Sequence, residues 1–327
     1  MDLHFTTVED RHGETWGARF RELWPAYRHW YLREGIENRP TYLESRMALR
    51  QYMPEMVPLW EQCVDAAGGG DLEARLLSLY CPPAYLTGCS QAVWPGASPL
   101  LVRNYDYHPG AFDAMALQSH WGGRTVLGTS DCMIGLVDGI NDAGLALSLT
   151  FGGRRVVGTG FGVPMILRHV LQCCETTAQA TRILARVPTH MAYNVTVLDA
   201  KRRYATVYMA PDREAVVTRS AVATNHQGRV DWASHERATS SVRRERYLLQ
   251  RLTLHSEPQQ EFVNAFLRPP LYSLAFDRGF GTLYTAALRP AEGTLTYHWL
   301  NRHLHLDMNN FQTEECRIRY PSPVAIP

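Results

Sequence analysis

The sequence lacks the features that would connect it to a membrane, to secretion or to a nucleic acid. Its formal net charge at pH 7 is only +1, which gives little attraction to phosphate backbones or anionic lipids. The first ten residues, M-D-L-H-F-T-T-V-E-D, contain no apolar signal core, and no apolar run is long enough to cross a bilayer. These absences predict a soluble, cytoplasmic protein without nucleic-acid or membrane partners.

The cysteine pattern fits neither a disulfide framework nor a zinc site. There are seven cysteines, an odd number, and no C-x-x-C occurs. His303-Leu304-His305-Leu306-Asp307 would place two imidazoles on one face of a strand, but no third ligand is apparent, so an exposed strand is predicted there. We therefore expect a reducing compartment, no metal and no cofactor.

The chain changes character at Cys89. Residues 13–88 show aromatic and apolar residues at helical spacing and are predicted to be mostly helical. After Cys89, short β-rich runs alternate with turn residues, and two helices with a capping box at Thr176 interrupt them. Without internal repeats or a linker, this order of elements predicts one layered α+β domain. The predicted elements are helices at 41–63, 71–77, 164–186 (split near 175), 240–254 and 259–266, and strands at 89–94, 100–107, 134–137, 144–151, 194–199, 204–209, 215–219, 272–289 and 294–300.

A hairpin is predicted around the most reactive stretch of the chain, residues 85–107. Cys89–Trp94 has the composition of a short strand, Pro95-Gly96 forms the turn, and Leu100–Tyr107 returns. On such a hairpin Cys89 lies near the residues that follow Arg103. A thiol, a cation and a carboxylate then converge, as they do around a nucleophile with its orienting groups.

The residues of this hairpin also carry a resemblance. Gly88-Cys89-Ser90 followed by R-N-Y-D-Y at 103–107 resembles the N-terminal-nucleophile (Ntn) cysteine hydrolases, in particular the isopenicillin N acyltransferase-like autoproteolytic acyltransferases. Penicillin V acylase and bile salt hydrolase are more distant relatives. The resemblance implies a four-layer αββα sandwich and scission of the Gly88–Cys89 bond, which frees Cys89 as both N-terminus and nucleophile.

The chemistry of that scission is consistent with the residues. Gly88 has no Cβ, so the peptide before the thiol can adopt strained dihedrals. Hydrolysis after an N→S acyl shift would leave an α-amine on Cys89, whose ordinary pKa of roughly 7.7–8.0 allows it to accept the thiol proton near pH 7.

Arg103 and Asp106 are three residues apart, so on a regular strand their side chains would point to opposite faces. The family that the hairpin resembles has its Arg-x-x-Asp pair at the same spacing. Asp106 is expected to hold the Cys89 amine, and Arg103 to lower the pKa of the thiol and contact substrate.

Two further segments match the family. Asp138–Phe151 resembles its Asp-Gly-Met-Asn-Glu-x-Gly-Leu turn and the strand that follows, and Thr150 stands where relatives have an oxyanion-hole Asn or Tyr. Thr224-Asn225-His226 matches its Thr-Asn-His, and Asn225 is the better oxyanion-hole candidate because a neutral amide donates without titrating. In the segment that begins at Ser240, relatives carry an Arg that reaches the nucleophile. Arg244 is the best match, with Arg243 and Arg246 left open.

The sequence therefore predicts an autoproteolytic cysteine amidohydrolase or acyltransferase. Residues 1–88 would be a propeptide-derived helical segment and residues 89–327 the nucleophile-bearing segment, together one domain. An acyl amide or acyl thioester would form an acyl-thioester on Cys89, passed on to water or an amine, with a homo-oligomer left possible. Two alternatives remain: a Cys89/His226 papain-like protease, and a non-catalytic small-molecule-binding protein on an unprocessed Ntn scaffold.

Overall fold

Two β-sheets packed face to face form the centre of the molecule. The computed structural model describes residues 1–253 and 257–320. Within these residues the large sheet has the order β10-β9-β8-β7-β6-β5-β4-β1-β16, and the small sheet has the order β11-β2-β3-β13-β14-β15, with β12 paired to β13. The strands are β1 (Asp2–Asp10), β2 (Gly88–Trp94), β3 (Leu100–Tyr107), β4 (Met115–Ser119), β5 (Val126–Asp131), β6 (Gly135–Asn141), β7 (Leu145–Phe151), β8 (Tyr193–Asp199), β9 (Tyr204–Ala210), β10 (Arg213–Thr218), β11 (Val222–Ala223), β12 (Leu274–Ala275), β13 (Phe280–Arg289), β14 (Thr294–Trp299), β15 (Arg302–Asp307) and β16 (Glu315–Arg319).

Helices cover both outer faces of this pair of sheets. The helices are α1 (Glu14–Tyr31), α2 (Tyr42–Tyr52), α3 (Val57–Ala67), α4 (Asp71–Leu77), α5 (Val163–Cys173), α6 (Thr177–Arg186), α7 (Ala233–Thr239), α8 (Ser241–Leu252) and α9 (Gln259–Ala265). α5 and α6 pack on the large sheet, while α8 and α9 contribute Leu248 and Phe262 to a separate apolar cluster on the small sheet. The predicted α+β, four-layer αββα architecture is confirmed.

Local sequence signals explain where several helices begin and break. Capping boxes at Thr41 and Thr176 start α2 and α6, as the latter was predicted to do. The helix predicted over residues 41–63 is two helices, because a 3-10 turn at Pro54–Met56 interrupts it. The strand predicted over 272–289 is two strands, β12 and β13, because a 3-10 turn at Phe276–Arg278 separates them. The predicted helix end at Leu254 lies outside the described residues.

The N-terminal residues form a strand that the sequence did not reveal. β1 lies between β4 and β16, pairing in parallel with β4 and antiparallel with β16. β4 and β16, which pair with β1, and β11, which pairs with β2, were also missed because these partners are distant in sequence. β5 was missed although its partners β4 and β6 are its neighbours along the chain. Residues 1–88 thus supply both a strand of the large sheet and the α1–α4 layer.

The elements around Cys89 follow the predicted hairpin. β2 and β3 pair antiparallel, with Gly88 opposite Asp106 and Cys89 opposite Tyr105, so the predicted hairpin is confirmed. β2 faces β7 across the sheet interface. The predicted exposed strand near the C-terminal end is also confirmed, since His303 and His305 are exposed on β15. In the described part of the chain no helix is long and apolar enough to span a membrane.

Candidate active site

The Cys89 side chain is fully buried between the two sheets. Its sulfur lies 3.4 Å from Arg103 Nη2 and 3.8 Å from Thr87 Oγ1, and its backbone N–H donates to Asn225 Oδ1 at 3.0 Å. Burial raises the pKa of the Cys89 thiol, while the Arg103 guanidinium and the Thr87 hydroxyl oppose that rise. The structure thus surrounds the predicted nucleophile with a cation, a hydroxyl and an amide oxygen.

Arg103 connects the thiol to the opposite sheet. Its Nη1 donates to Asp138 Oδ2 at 2.6 Å and to Tyr284 OH at 3.1 Å, and its Nε donates to Leu149 O at 2.9 Å. Since Arg103 and Asp138 are both fully buried, this is a buried ion pair rather than a solvated one. The guanidinium is therefore fixed on the interior face with one nitrogen directed at sulfur.

Asp106 pairs with a different cation. Arg244 Nη1 donates to Asp106 Oδ2, and Thr282 Oγ1 donates to Asp106 Oδ1 at 2.6 Å. Arg244 is buried, whereas Arg243 and Arg246 on the same helix are not, so Arg244 is the arginine that turns inward. The Asp106 carboxylate makes these contacts rather than one with Cys89, but it stands opposite Gly88 in the strand pair.

The segment that carries Asn225 is held in place by buried hydrogen bonds. Thr150 Oγ1 donates to Thr224 O at 2.8 Å and accepts from Asn194 Nδ2 at 3.0 Å. Asn194 Nδ2 also donates to Thr224 O and His226 O. The Thr150 hydroxyl is therefore occupied in positioning this turn. Asn225 itself accepts from Cys89 and donates one Nδ2 hydrogen to Phe151 O at 3.2 Å. Its second Nδ2 hydrogen has no acceptor in the part of the chain that the structure describes.

Two residues at this site were missed by sequence reasoning. Thr87 is buried beside the thiol, and His235 on α7 is buried against Phe151 and Phe280. Burial lowers the pKa of His235 to about 4, with the Thr87 backbone opposing that change, so its imidazole is neutral near pH 7. Only the fold brings α7 next to the Gly88–Cys89 peptide. The only sequence feature that could have indicated either residue is the position of Thr87, two residues before Cys89.

His226 is directed away from the thiol. Its Nδ1 lies 2.7 Å from Ser241 Oγ, and its Nε2 lies 3.1 Å from Glu245 Oε2. Both ring nitrogens thus join the Asn225 turn to α8, and no hydrogen bond to Cys89 is present among the described residues. This arrangement gives no support to a Cys89/His226 pair.

We expect His226→Gln to retain activity within a few fold of wild type. The glutamine keeps one polar contact to α8, so the main effect is a loss of about 1–2 kcal/mol in the free energy of unfolding. Urea denaturation measures the free energy of unfolding, and release of free thiol from test acyl thioesters measures turnover. A loss of turnover beyond about a hundredfold, with stability unchanged, would instead favour the papain-like alternative.

Comparison with known proteins assigns this chain to a family. A family model described as acyl-coenzyme A:6-aminopenicillanic acid acyl-transferase matches residues 94–303, more than half of the 327-residue chain. The chain belongs to this family. As a member of it, the protein is an enzyme of the acyltransferase and amide-hydrolase class. The match includes Arg103, Asp106 and Asn225 but begins after Cys89.

Solved structures provide more distant likenesses to this acyltransferase-family chain. Penicillin V acylase from Agrobacterium tumefaciens is 14% identical with a TM-score of 0.46, covering 68% of this chain and 86% of that one. A mutant conjugated bile acid hydrolase from Clostridium perfringens is 13% identical with a TM-score of 0.43, covering 73% and 99%. The N-acylethanolamine-hydrolyzing acid amidase ortholog of Caenorhabditis elegans is 14% identical with a TM-score of 0.42, covering 63% and 93%. No curated protein matches the sequence.

Proposed function

We propose that this protein is an autoproteolytic N-terminal-nucleophile cysteine enzyme that cleaves its own Gly88–Cys89 bond and then transfers acyl groups through Cys89. The observation that carries the proposal is the buried Cys89 thiol in contact with Arg103, on a residue whose backbone N–H donates to Asn225. A structural cysteine needs neither contact, whereas an activated thiol with a positioned scissile amide needs both.

Maturation would proceed by an N→S acyl shift. Cys89 Sγ attacks the Gly88 carbonyl carbon, the C–N bond breaks, and the nitrogen gains the thiol proton, giving a thioester and a free α-amine. Water then hydrolyses the thioester to a Gly88 carboxylate and the free thiol. The close fit of Gly88 supports this site, because a Cβ there would lie 3.2 Å from Asp106 Cβ and 3.3 Å from Phe280 Cδ1.

Turnover would use the groups that maturation leaves in place. The α-amine takes the Cys89 thiol proton as sulfur attacks the substrate carbonyl, and the second Nδ2 hydrogen of Asn225, with a backbone amide near Thr150, stabilises the oxyanion. The leaving group departs with a proton from the α-ammonium, and an acyl-thioester remains. Water or an amine then accepts the acyl group. Asp106, opposite Gly88, would orient the new amine.

Intact mass of the purified wild-type protein tests the proposal. We expect fragments of residues 1–88 and 89–327 that stay associated, because β1 lies inside the large sheet and α1–α4 pack on the rest of the chain. We therefore propose that residues 1–88 and 89–327 are two segments of one domain. A chain that remains whole after prolonged incubation would overturn autoproteolysis and favour the binding-protein alternative.

Asn225→Ala is expected to lower the rate of acyl transfer by about 10²–10³-fold in the cleaved enzyme, the usual effect of losing an oxyanion-hole donor. Asn225→Asp keeps an acceptor for the Cys89 amine but removes the amide donor, so a similar loss is expected. Asn264→Ala, on α9, is the control. Rates are normalised to the cleaved fraction measured by mass, and near-wild-type turnover by Asn225→Asp would contradict the oxyanion role.

A further inference from the structure

A cavity of about 250 Å³ lies next to the candidate active site. It is enclosed by α1, by the loop that follows β3 and by the end of β5. Ala26, Gly110 and Ala111 at its rim are exposed, whereas Asp113, Asp131 and Cys132 at its floor are buried. The cavity therefore opens to solvent at one end. Its walls are aromatic: Tyr27, Trp30, Tyr85, Tyr107 and Phe112.

Tyr105 contacts both the surroundings of the nucleophile and the wall of this cavity. Tyr105 stands opposite Cys89 in the hairpin, and the Arg103 guanidinium lies 4.3 Å from the centroid of its ring. The Tyr105 hydroxyl donates to Asp131 Oδ2 at 3.2 Å, and its ring stacks on Tyr107 with the centroids 5.4 Å apart. Tyr105 is therefore a shared neighbour of Cys89 and of two residues that line the cavity, Tyr107 and Asp131.

The charges of the cavity are of one sign. Asp113 and Asp131 contribute carboxyl groups, no Lys, Arg or His lines the cavity, and neither carboxyl has a salt bridge in the described part of the chain. Burial, and after it the neighbouring Asp113 carboxyl, raise the pKa of Asp131 to about 7. An anionic ligand would find no cation here, whereas an ammonium group would supply the missing charge and face five aromatic rings.

A further polar group in this wall has no partner. The Tyr85 hydroxyl is buried without a hydrogen bond among the described residues. Tyr85 lines the cavity four residues before Cys89, on the segment that leads to the scissile peptide. Since buried hydroxyls are normally hydrogen-bonded, a polar atom of a bound ligand would satisfy it. Asp113 accepts hydrogen bonds from Tyr27, Ser130 and the Met133 N–H, and Asp131 accepts one from Tyr105. A purely apolar acyl chain would fill the rings but would leave the Tyr85 hydroxyl without a hydrogen bond and the two carboxyls without a cation.

We propose that this cavity binds the acyl part of the substrate and that this acyl part carries a terminal ammonium group, placed between the aromatic rings and Asp131. The assignment of the ligand as an acyl group rests on the proposed function of Cys89. The requirement for a positive charge rests on the cavity alone. The substrate class is therefore an ω-ammonium acyl amide or thioester.

Calorimetric titration of the full-length Cys89→Ala chain tests the inference without turnover. The probes are 6-aminohexanamide, which is cationic, its neutral counterpart hexanamide, and the anionic monoamide of adipic acid. We expect the cation to bind at least about tenfold more tightly than the neutral amide and the anion not to bind. Asp131→Asn should abolish this preference. Asp65→Asn, which alters a carboxylate on α3 outside the cavity, should keep it.

The outcomes separate this inference from the proposed function. Three results would overturn the inference of an ammonium site, whether or not the Gly88–Cys89 bond is cleaved. They are equal affinities for hexanamide and 6-aminohexanamide, no binding of 6-aminohexanamide, and an unchanged preference for the cation in Asp131→Asn. Preference for the cation in a wild-type chain that never cleaves would support the ammonium site while rejecting the proposed maturation. Because Asp131→Asn keeps the size of the side chain, circular dichroism and Tm verify that the variant is folded.

Discussion

Cys89→Ala is expected to stay a single chain of 327 residues and to lose acyl-transfer activity completely. Alanine removes the sulfur that attacks the Gly88 carbonyl in maturation and the substrate carbonyl in turnover, so both steps fail together. Loss of a nucleophile lowers turnover by about 10⁴-fold or more. The measurements are intact mass after prolonged incubation and release of free thiol from acyl-CoA thioesters.

Two further variants separate the role of Cys89 from a general loss of thiol. Cys89→Ser keeps a hydroxyl nucleophile in the same contacts and should cleave slowly, giving both fragments over a longer time. Cys173→Ala, at a half-buried cysteine on α5, should cleave and turn over as wild type does. Cleavage in Cys89→Ala at an unchanged rate would show that another group performs the scission and would reject Cys89 as the nucleophile.

Arg244→Met is expected to lower the free energy of unfolding by about 3–5 kcal/mol. The substitution preserves much of the side chain's volume but leaves the Asp106 carboxylate buried without its cation, and removing one partner of a buried ion pair has an effect of this size. Arg243→Met is the matched control, since Arg243 is the neighbour on α8 that does not turn inward. Its effect should stay within about 0.5 kcal/mol. Urea denaturation measures both values.

The double variant Asp106→Asn/Arg244→Met separates the contribution of this ion pair to stability from its contribution to activity. With both charges removed, most of the lost stability should return, because no unpaired buried charge remains. Activity should not return, since the neutral amide introduced by Asp106→Asn cannot orient the Cys89 α-ammonium as a carboxylate does. A double variant that is stable and turns over at the wild-type rate would make the ion pair purely structural. Equal stability losses for Arg244→Met and Arg243→Met would show that the buried pair does not form.

The local sequence was sufficient to predict features that depend on interactions between residues close together in the chain. The β-rich residues on either side of Pro95-Gly96 predict the β2–β3 hairpin, which brings Cys89 near the residues that follow Arg103. The capping box at Thr176 and Gln179 fixes the start of α6 in the same way. The α+β class follows from the order of helical and strand patterns. The αββα layering was an expectation from family resemblance, and the packed sheets and helices confirm it.

The ion-pair partners of the charged site residues could not be predicted from the sequence. Arg103 and Asp106 are neighbours on one strand, yet Arg103 pairs with Asp138 across the sheet interface and Asp106 pairs with Arg244 from α8. Three residues apart on a strand, their side chains leave opposite faces, so each meets a different layer of the fold. Sequence could name Arg103, Asp106 and Arg244 as candidates and include Asp138 in a matched segment, but it could not assign the pairs.

The sequence by itself determined the hairpin, the Gly88-Cys89 junction and the candidate nucleophile, because these depend on neighbouring residues and on side-chain chemistry. Only the tertiary structure decided that β1 joins the large sheet, that Arg244 rather than Arg243 or Arg246 turns inward, and that the Thr150 hydroxyl supports the Asn225 turn. It also decided that α1 closes an aromatic cavity whose floor includes Asp113 and Asp131. Each of these depends on contacts between distant parts of the chain, which form only when the layers pack and which no local pattern encodes.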